Sequence, residues 1–186
     1  EESLDAFIED VRAVGVKTHL VGRENLDRNI EAQIVDSALM LKVMEKNGDA
    51  NGRVADVGPG AGFPGIIWKV LNPDLEITLI ERKRKMAAFL FRETARLKLK
   101  NLTVYAGDAT TAELKPFQIV VSKAAGKLKE ILPVAEKLLE RDGIYITIKS
   151  PYWEKRKIPG NSHGMKFEKE ENAGTERGKI IIFRKF

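Results

Sequence analysis

The sequence of 186 residues contains no cysteine and only two histidines, His19 and His163. Without cysteine the chain can form neither a disulfide nor a thiolate metal site. Two histidines so far apart in the sequence are too few for a histidine-based metal centre or catalytic triad, so both are interpreted as surface or packing residues. We therefore expect no bound metal and no histidine-based chemistry.

Long apolar runs are also missing, although hydrophobic residues make up 43% of the chain. No run is long enough to cross a bilayer, and no secretory signal pattern is present, so a cytoplasmic protein without a membrane partner is expected. The length suits one well-buried core. We predict a single domain over residues 1–186 and a monomer. Within the domain, residues 1–50 would form an N-terminal helical extension and residues 51–186 an α/β core.

Hydrophobic periodicity predicts two N-terminal helices, at 2–14 and 30–46, followed by strands that alternate with helices. Such alternation is typical of a doubly wound, mostly parallel sheet with helices on both faces. Two last apolar runs, at 165–167 and 179–183, predict an antiparallel hairpin that brings the sheet to seven strands. The other predicted strands are 53–57, 75–80, 102–106, 117–121 and 143–149, and the other predicted helices are 64–71, 83–98, 110–115 and 127–140.

A cluster of glycines follows the first predicted strand of this sheet. Glycine allows the backbone to approach a nucleotide-like ligand closely, because it has no Cβ. Asp56 lies two residues before the first glycine, which makes the pattern Asp-x-Gly-x-Gly-x-Gly. That pattern is found in class I methyltransferases that bind S-adenosylmethionine. The glycines are Gly58, Gly60, Gly62 and Gly65.

The stretch from Gly60 to Gly65 also matches the dinucleotide fingerprint G-x-G-x-x-G, so an NAD-dependent oxidoreductase is the alternative. Two features favour the methyl donor. Asp56 would repel a pyrophosphate at the helix N-terminus, whereas a carboxylate suits the ammonium and sulfonium groups of S-adenosylmethionine. Bulky Phe63 precedes Pro64, where the helix is predicted to start. An oxidoreductase would also need a proton-transfer group near the cleft, and no Tyr-x-x-x-Lys or suitable histidine is found.

Two more acids follow later predicted strands, and ligands of doubly wound sheets bind beyond the carboxyl ends of the strands. Glu81 stands where a carboxylate binds both ribose hydroxyls, although it could instead cap the next helix. Asp108 follows the third strand, where an aspartate commonly meets the adenine amino group, and Ala109 and Thr110 would border the adenine. Together with Asp56, these residues predict a nucleoside-binding site.

Basic residues outnumber acidic ones, 32 to 27, which gives a net charge of +5. Several of the basic residues follow predicted strands, which would place them around the cofactor cleft. A basic rim suits an RNA substrate, although each side chain could instead pair with an acid on a neighbouring helix. The residues concerned are Arg82, Lys83, Arg84, Lys85, Lys123 and Lys149.

From about Lys17 to Lys185, the chain resembles the glucose-inhibited division protein B family, RsmG. The most specific segment runs from Asp56 to Gly65, because Gly-Phe-Pro-Gly after the glycine box is characteristic of that family. Further matches are Asp36-Ser37, Lys85 with Phe89-Leu90, Ser122-Lys123-Ala124, Lys149 and Glu176-Arg177. The chain departs from the family pattern at Gln33, Met86, Lys123, Asp108-Ala109-Thr110 and Ser150.

The resemblance implies methyl transfer from S-adenosylmethionine to N7 of a guanine in 16S rRNA, with the small ribosomal subunit or its precursor as partner. Guanine N7 carries no proton, so no general base is expected. Lys123, Lys149 and Arg177 would position the cofactor carboxylate or RNA phosphates. A methyltransferase acting on another RNA, a protein or a small molecule remains an alternative, as does a non-catalytic RNA-binding protein. The expected cofactor-binding residues are Asp56, Gly58, Gly60, Gly62, Phe63, Glu81, Asp108, Ala109, Thr110 and Lys123.

Overall fold

Seven strands form one mixed sheet in the order β3-β2-β1-β4-β5-β7-β6. Strands β1 to β5 run parallel, while β7 is antiparallel to both β5 and β6. The strands are β1 (Arg53–Val57), β2 (Glu76–Glu81), β3 (Leu102–Ala106), β4 (Phe117–Lys123), β5 (Leu139–Lys149), β6 (Met165–Asn172) and β7 (Lys179–Lys185). The helices are α1 (Glu2–Thr18), α2 (Leu26–Lys46), α3 (Gly65–Leu71), α4 (Arg84–Arg96) and α5 (Leu128–Leu138). The structure, a computed structural model, describes residues 2–18, 25–46, 52–123, 125–154, 158, 163–173 and 178–186.

The predicted sheet and its antiparallel hairpin are confirmed, but several element boundaries differ and one predicted helix is not formed. Helix α2 begins at Leu26 rather than residue 30, and Asp27 in its first turn carries the negative charge that a helix N-terminus favours. The predicted helix at 110–115 is wrong, since this segment forms a turn and then an irregular stretch. There the Asp108 carboxylate accepts hydrogen bonds from the amide and hydroxyl of Thr110, which favours a turn over a helix. Strand β5 begins at Leu139, directly after α5.

Alternating residues of the strands face two hydrophobic clusters, one on each side of the sheet. Val54, Ile119 and Ile146 pack in the cluster that includes residues of α1 to α4. Their neighbours Val120 and Tyr145 pack on the opposite side, beneath α5. Helices α1 to α4 therefore cover one side of the sheet, and α5 covers the other.

The two N-terminal helices pack directly on the α/β core. The rings of Phe7 and Phe63 lie 5.5 Å apart. Trp68 of α3 donates a hydrogen bond from Nε1 to the carbonyl oxygen of Ser37 in α2 at 2.7 Å. Arg96 of α4 lies 2.7 Å from the Asp10 carboxylate of α1. None of the helices in the described part of the chain is both long and apolar enough to cross a membrane.

Candidate cofactor site

A cleft of about 470 Å³ opens at the carboxyl ends of β1, β2 and β3. This size is typical of small-molecule sites, and the position is where doubly wound sheets bind their ligands. Within the described ranges, no group of three histidine, aspartate or glutamate side chains could hold a metal ion. The predicted site residues that line the cleft are Gly58, Gly60, Glu81, Asp108, Ala109 and Thr110.

The glycine turn after β1 forms one wall of the cleft. Gly58 and Gly60 have φ angles of 71° and 57°, in the left-handed region that favours glycine. A Cβ on Gly60 would meet no atom within 4 Å, so the backbone there borders open space. The Gly60 amide donates a hydrogen bond to Glu81 Oε2 at 3.2 Å. The turn therefore presents bare backbone to the cleft.

Glu81, the last residue of β2, is 5% exposed and holds two segments of the cleft wall together. While Oε2 accepts from Gly60, Oε1 accepts from the backbone amide of Lys83 at 2.8 Å. Both oxygens therefore face amides at the cleft, which fixes the carboxylate where it can also accept hydrogen bonds from ligand hydroxyls.

The segment after β3 supplies a polar group beside an apolar surface. Asp108 Oδ1 accepts from the amide and hydroxyl of Thr110 at 2.8 and 2.7 Å. These hydrogen bonds, together with the nearby charge of Arg82, hold the pKa of Asp108 below its usual value. Ala109 is buried beside it, and Ile131 of α5 lines the same cleft. The combination suits a flat heterocycle with a polar edge.

Asp56 is fully buried beneath the cleft wall rather than among its lining residues. Its Oδ2 accepts a hydrogen bond from the amide of Gly65, the first residue of α3, at 2.8 Å. Among the described residues, its Oδ1 has no hydrogen-bond partner. Burial raises the pKa of Asp56 well above its usual value, and the nearby charge of Lys123 only partly opposes this shift. An uncompensated carboxylate oxygen in this position fits a ligand that brings a cation or donor.

The structure places four other predicted site residues outside the cleft lining. Phe63 packs on Phe7 of α1, as described above, and a Cβ on Gly62 would collide with the side chain of Ile66. Lys123 extends towards α2, while Lys149 donates from Nζ to the Gly126 carbonyl at 3.4 Å, and burial lowers the pKa of Lys149. Arg177 lies outside the described residues, as do Glu176, Ala124 and His19.

Lys123 is joined to the N-terminal extension. Its Nζ lies 3.0 Å from Asp36 Oδ2, and the two side chains are only 8% and 16% exposed. The same ammonium lies 3.4 Å from the carbonyl oxygen of Gln33. Asp36, noted in the sequence only through the family resemblance, thus ties Lys123 to α2.

Several cleft residues were not predicted as site residues from the sequence. In α5, the apolar periodicity was the only signal, and that pattern also predicts ordinary core packing. Because the cleft opens beside α5, some of the apolar residues of this helix face the cleft rather than the protein core. These residues include Met86, Ala125, Glu130, Ile131 and Val134.

Together, the strand order with a reversed β7, the glycine turn after β1 and the acid at the end of β2 define a class I S-adenosylmethionine-dependent methyltransferase. A solved structure of a putative RNA methyltransferase from Pyrococcus horikoshii has this fold. It aligns with a TM-score of 0.62 and 17% identity, covering 81% of this chain and 83% of that one.

Sequence comparison defines the family more narrowly. The family model GidB, described as rRNA small subunit methyltransferase G, matches residues 1–178, and the chain belongs to this family. It is 30% identical to ribosomal RNA small subunit methyltransferase G of Polynucleobacter asymbioticus over 151 residues, which cover 79% of this chain and 68% of that protein. The protein of the same name from Thermobifida fusca is 31% identical over 77% of this chain and 59% of its own length. The chain thus spans roughly six to seven tenths of these relatives.

Proposed function

We propose that this protein transfers a methyl group from S-adenosylmethionine to N7 of a guanine in the 16S rRNA of the small ribosomal subunit. The observation that carries the proposal is the Glu81 carboxylate, buried at the mouth of a glycine-walled cleft in a chain of the rRNA small subunit methyltransferase G family. The relatives' names indicate ribosomal RNA of the small subunit as the substrate. The choice of N7 comes from the family resemblance in the sequence.

The residues of the cleft fit this cofactor. Glu81 would hold the ribose hydroxyls, and Asp108 with the surface around Ala109 would hold the adenine. The unpartnered Asp56 oxygen would receive the methionine ammonium. When bound, S-adenosylmethionine supplies a methyl group activated by its sulfonium.

The chain itself has to orient the base and exclude water. Guanine N7 offers an in-plane lone pair and no proton, so no residue needs to act as a base. We assign Lys149 and Arg177 to anions, either the cofactor carboxylate or RNA phosphates, because a cation beside the base would oppose the positive charge that forms on it. Lys123 is instead paired with Asp36. N7 lies on the major-groove edge, and the major groove of an RNA duplex is deep and narrow. The target guanine must therefore be unpaired or turned out of its helix.

Replacing Glu81 with glutamine is expected to weaken binding of S-adenosylhomocysteine about tenfold or more. Glutamine offers one oxygen and one NH2, so one of the two backbone amides that now face carboxylate oxygens would face another donor. Glutamine also removes the charged acceptor proposed for the ribose hydroxyls, and a hydrogen bond to a charged group contributes about 1.5–3 kcal/mol. Isothermal titration measures the affinity, and Glu130→Gln is the matched control. Glu130 lines the same cleft, but within the described part of the chain its carboxylate accepts only from the Lys127 amide, at 3.3 Å, so its replacement should change the affinity little.

The test of the function is transfer of labelled methyl from S-adenosylmethionine to small-subunit particles that lack the modification, and to their deproteinised RNA. Borohydride and aniline treatment should then cleave the RNA at one N7-methylguanine, and Glu81→Gln should reduce that cleavage. Label on RNA without cleavage would keep the methyltransferase and exclude N7. Bound cofactor with no label on either substrate would refute the RNA substrate.

The domain arrangement is part of the same proposal. We propose one domain over residues 1–186, with residues 1–50 as its helical extension, that acts as a cytoplasmic monomer. The packing of Phe7 on Phe63 and the pairing of Arg96 with Asp10 support one cooperative unit. A single unfolding transition and a monomeric mass in solution are the expected observations.

A further inference from the structure

Four consecutive cations stand at the mouth of the cleft, and we refer to them as the α4 rim: Arg82, Lys83, Arg84 and Lys85. All four are exposed. Arg82 and Lys83 line the cleft, while Arg84 and Lys85 begin α4 just outside it. The α4 rim is therefore continuous from the cofactor site to the outer surface.

The α4 rim is unfavourable for the isolated protein. It occupies the N-terminal end of a helix, whose dipole disfavours positive charge, and the first turn of α4 contains no acid. Lys83 is the N-cap residue and provides no capping hydrogen bond from its side chain. Within the described ranges, none of the four side chains forms an ion pair, although the charge of Arg82 does act on Asp108. The charges are thus not explained by pairing with neighbouring helices.

The opposite side of the cleft is also basic. Exposed Lys127 and Lys129 stand at the start of α5, the helix that contributes Ile131 to the cleft lining. Acids that line the cleft include Asp108, bonded to Thr110, and Glu130, which accepts from the Lys127 amide. Cations outside the cleft lining therefore border both sides of the opening.

We propose that the α4 rim and the start of α5 bind the phosphates of the RNA strand on either side of the nucleotide that enters the cleft. The inference rests on the proposed function and deepens it by assigning the RNA-binding surface. The cofactor does not explain Arg84 and Lys85, because they lie outside the cleft lining. An extended polyanion explains them, since it follows the surface across the opening and meets cations on both sides.

The test compares two double variants that remove the same charge. Arg84→Gln/Lys85→Gln neutralises the outer half of the α4 rim and leaves the cleft lining intact. Lys100→Gln/Lys115→Gln neutralises two exposed lysines that shortly precede β3 and β4, at the opposite edge of the sheet. Affinity for deproteinised small-subunit rRNA is measured over a range of salt concentrations, and binding of S-adenosylhomocysteine is measured beside it.

Each single-strand phosphate contact contributes about 0.7 to the slope of log affinity against log salt. Because the α4 rim variant removes two cations, we expect its slope to be shallower than that of the wild type by roughly 1.4. At ~0.1 M salt, the affinity should fall roughly 10- to 30-fold. The control should keep the wild-type slope, and both variants should keep the wild-type affinity for S-adenosylhomocysteine.

Two results would overturn the assignment of this surface: an unchanged slope in the α4 rim variant, or equal changes in both variants. Wild-type protein that binds RNA with the expected slopes but transfers no methyl group would refute the proposed function and leave the surface assigned. Absence of binding by the wild type to both deproteinised RNA and small-subunit particles would refute both.

Discussion

Replacing Lys123 with methionine is expected to lower the free energy of unfolding by about 3 kcal/mol, the lower end of the range for breaking a buried ion pair. Methionine fills a similar volume but leaves the Asp36 carboxylate, 16% exposed, without the ammonium now 3.0 Å away. It also removes the cation whose field partly offsets the burial of Asp56. Denaturant unfolding monitored by circular dichroism measures the loss.

Two controls separate the ion pair from other effects. The double variant Asp36→Asn/Lys123→Met removes both charges together and should recover most of the lost stability, since replacing a whole buried pair costs little. Arg12→Met breaks an ion pair with Asp27 whose side chains are 50% and 76% exposed. Such exposed pairs contribute about 1 kcal/mol or less. Equal losses for Lys123→Met and Arg12→Met would contradict the buried role of Lys123.

The cleft was largely predictable because it depends on short-range patterns. A buried strand followed by an acid predicts Glu81 at the carboxyl edge of a parallel sheet, and the cleft indeed lies there. The left-handed angles of Gly58 and Gly60 agree with the glycine pattern. Each of these features involves one strand and the turn after it, so a local pattern contains the needed information.

Contacts between distant segments were not predictable in the same way. No local pattern states that Phe63 packs on Phe7, or that Lys123 pairs with Asp36, because each contact depends on where the N-terminal helices dock. The helix expected at 110–115 failed for a different reason, since the hydrogen bonds of Asp108 with Thr110 favour a turn. The acid of the glycine motif was recognised, but its burial below α3 was not foreseen.

Replacing Asp56 with asparagine is expected to stabilise the cofactor-free protein at neutral pH and to weaken cofactor binding. Burial raises the pKa of Asp56 in the folded state above its value in the unfolded chain. Between these two pKa values, the folded state binds more protons than the unfolded state, so the contribution of Asp56 to stability rises as the pH falls. At a pH above the folded-state pKa, Asp56 is charged in the folded protein, and its burial lowers the free energy of unfolding by the largest amount. The stability gained by Asp56→Asn should therefore be largest above the folded pKa and shrink towards low pH.

Thermal or denaturant unfolding of the wild type and of Asp56→Asn is measured across a range of pH. Subtracting the two free energies of unfolding at each pH cancels the contribution of the other acids that titrate. Asparagine keeps an oxygen for the Gly65 amide, so the start of α3 should stay in place. The loss of a charged hydrogen bond to the methionine ammonium, about 1.5–3 kcal/mol, should weaken binding of S-adenosylhomocysteine roughly 10- to 150-fold.

A carboxylate that destabilises the empty fold while strengthening ligand binding is the pattern expected of a binding residue. The opposite combination would identify a different role. If Asp56→Asn bound S-adenosylhomocysteine as tightly as the wild type while showing the same gain in stability, the charge would serve no ligand. Asp56 would then be a hydrogen-bond acceptor for the first turn of α3, and the methionine ammonium would have to be held by another group of the site.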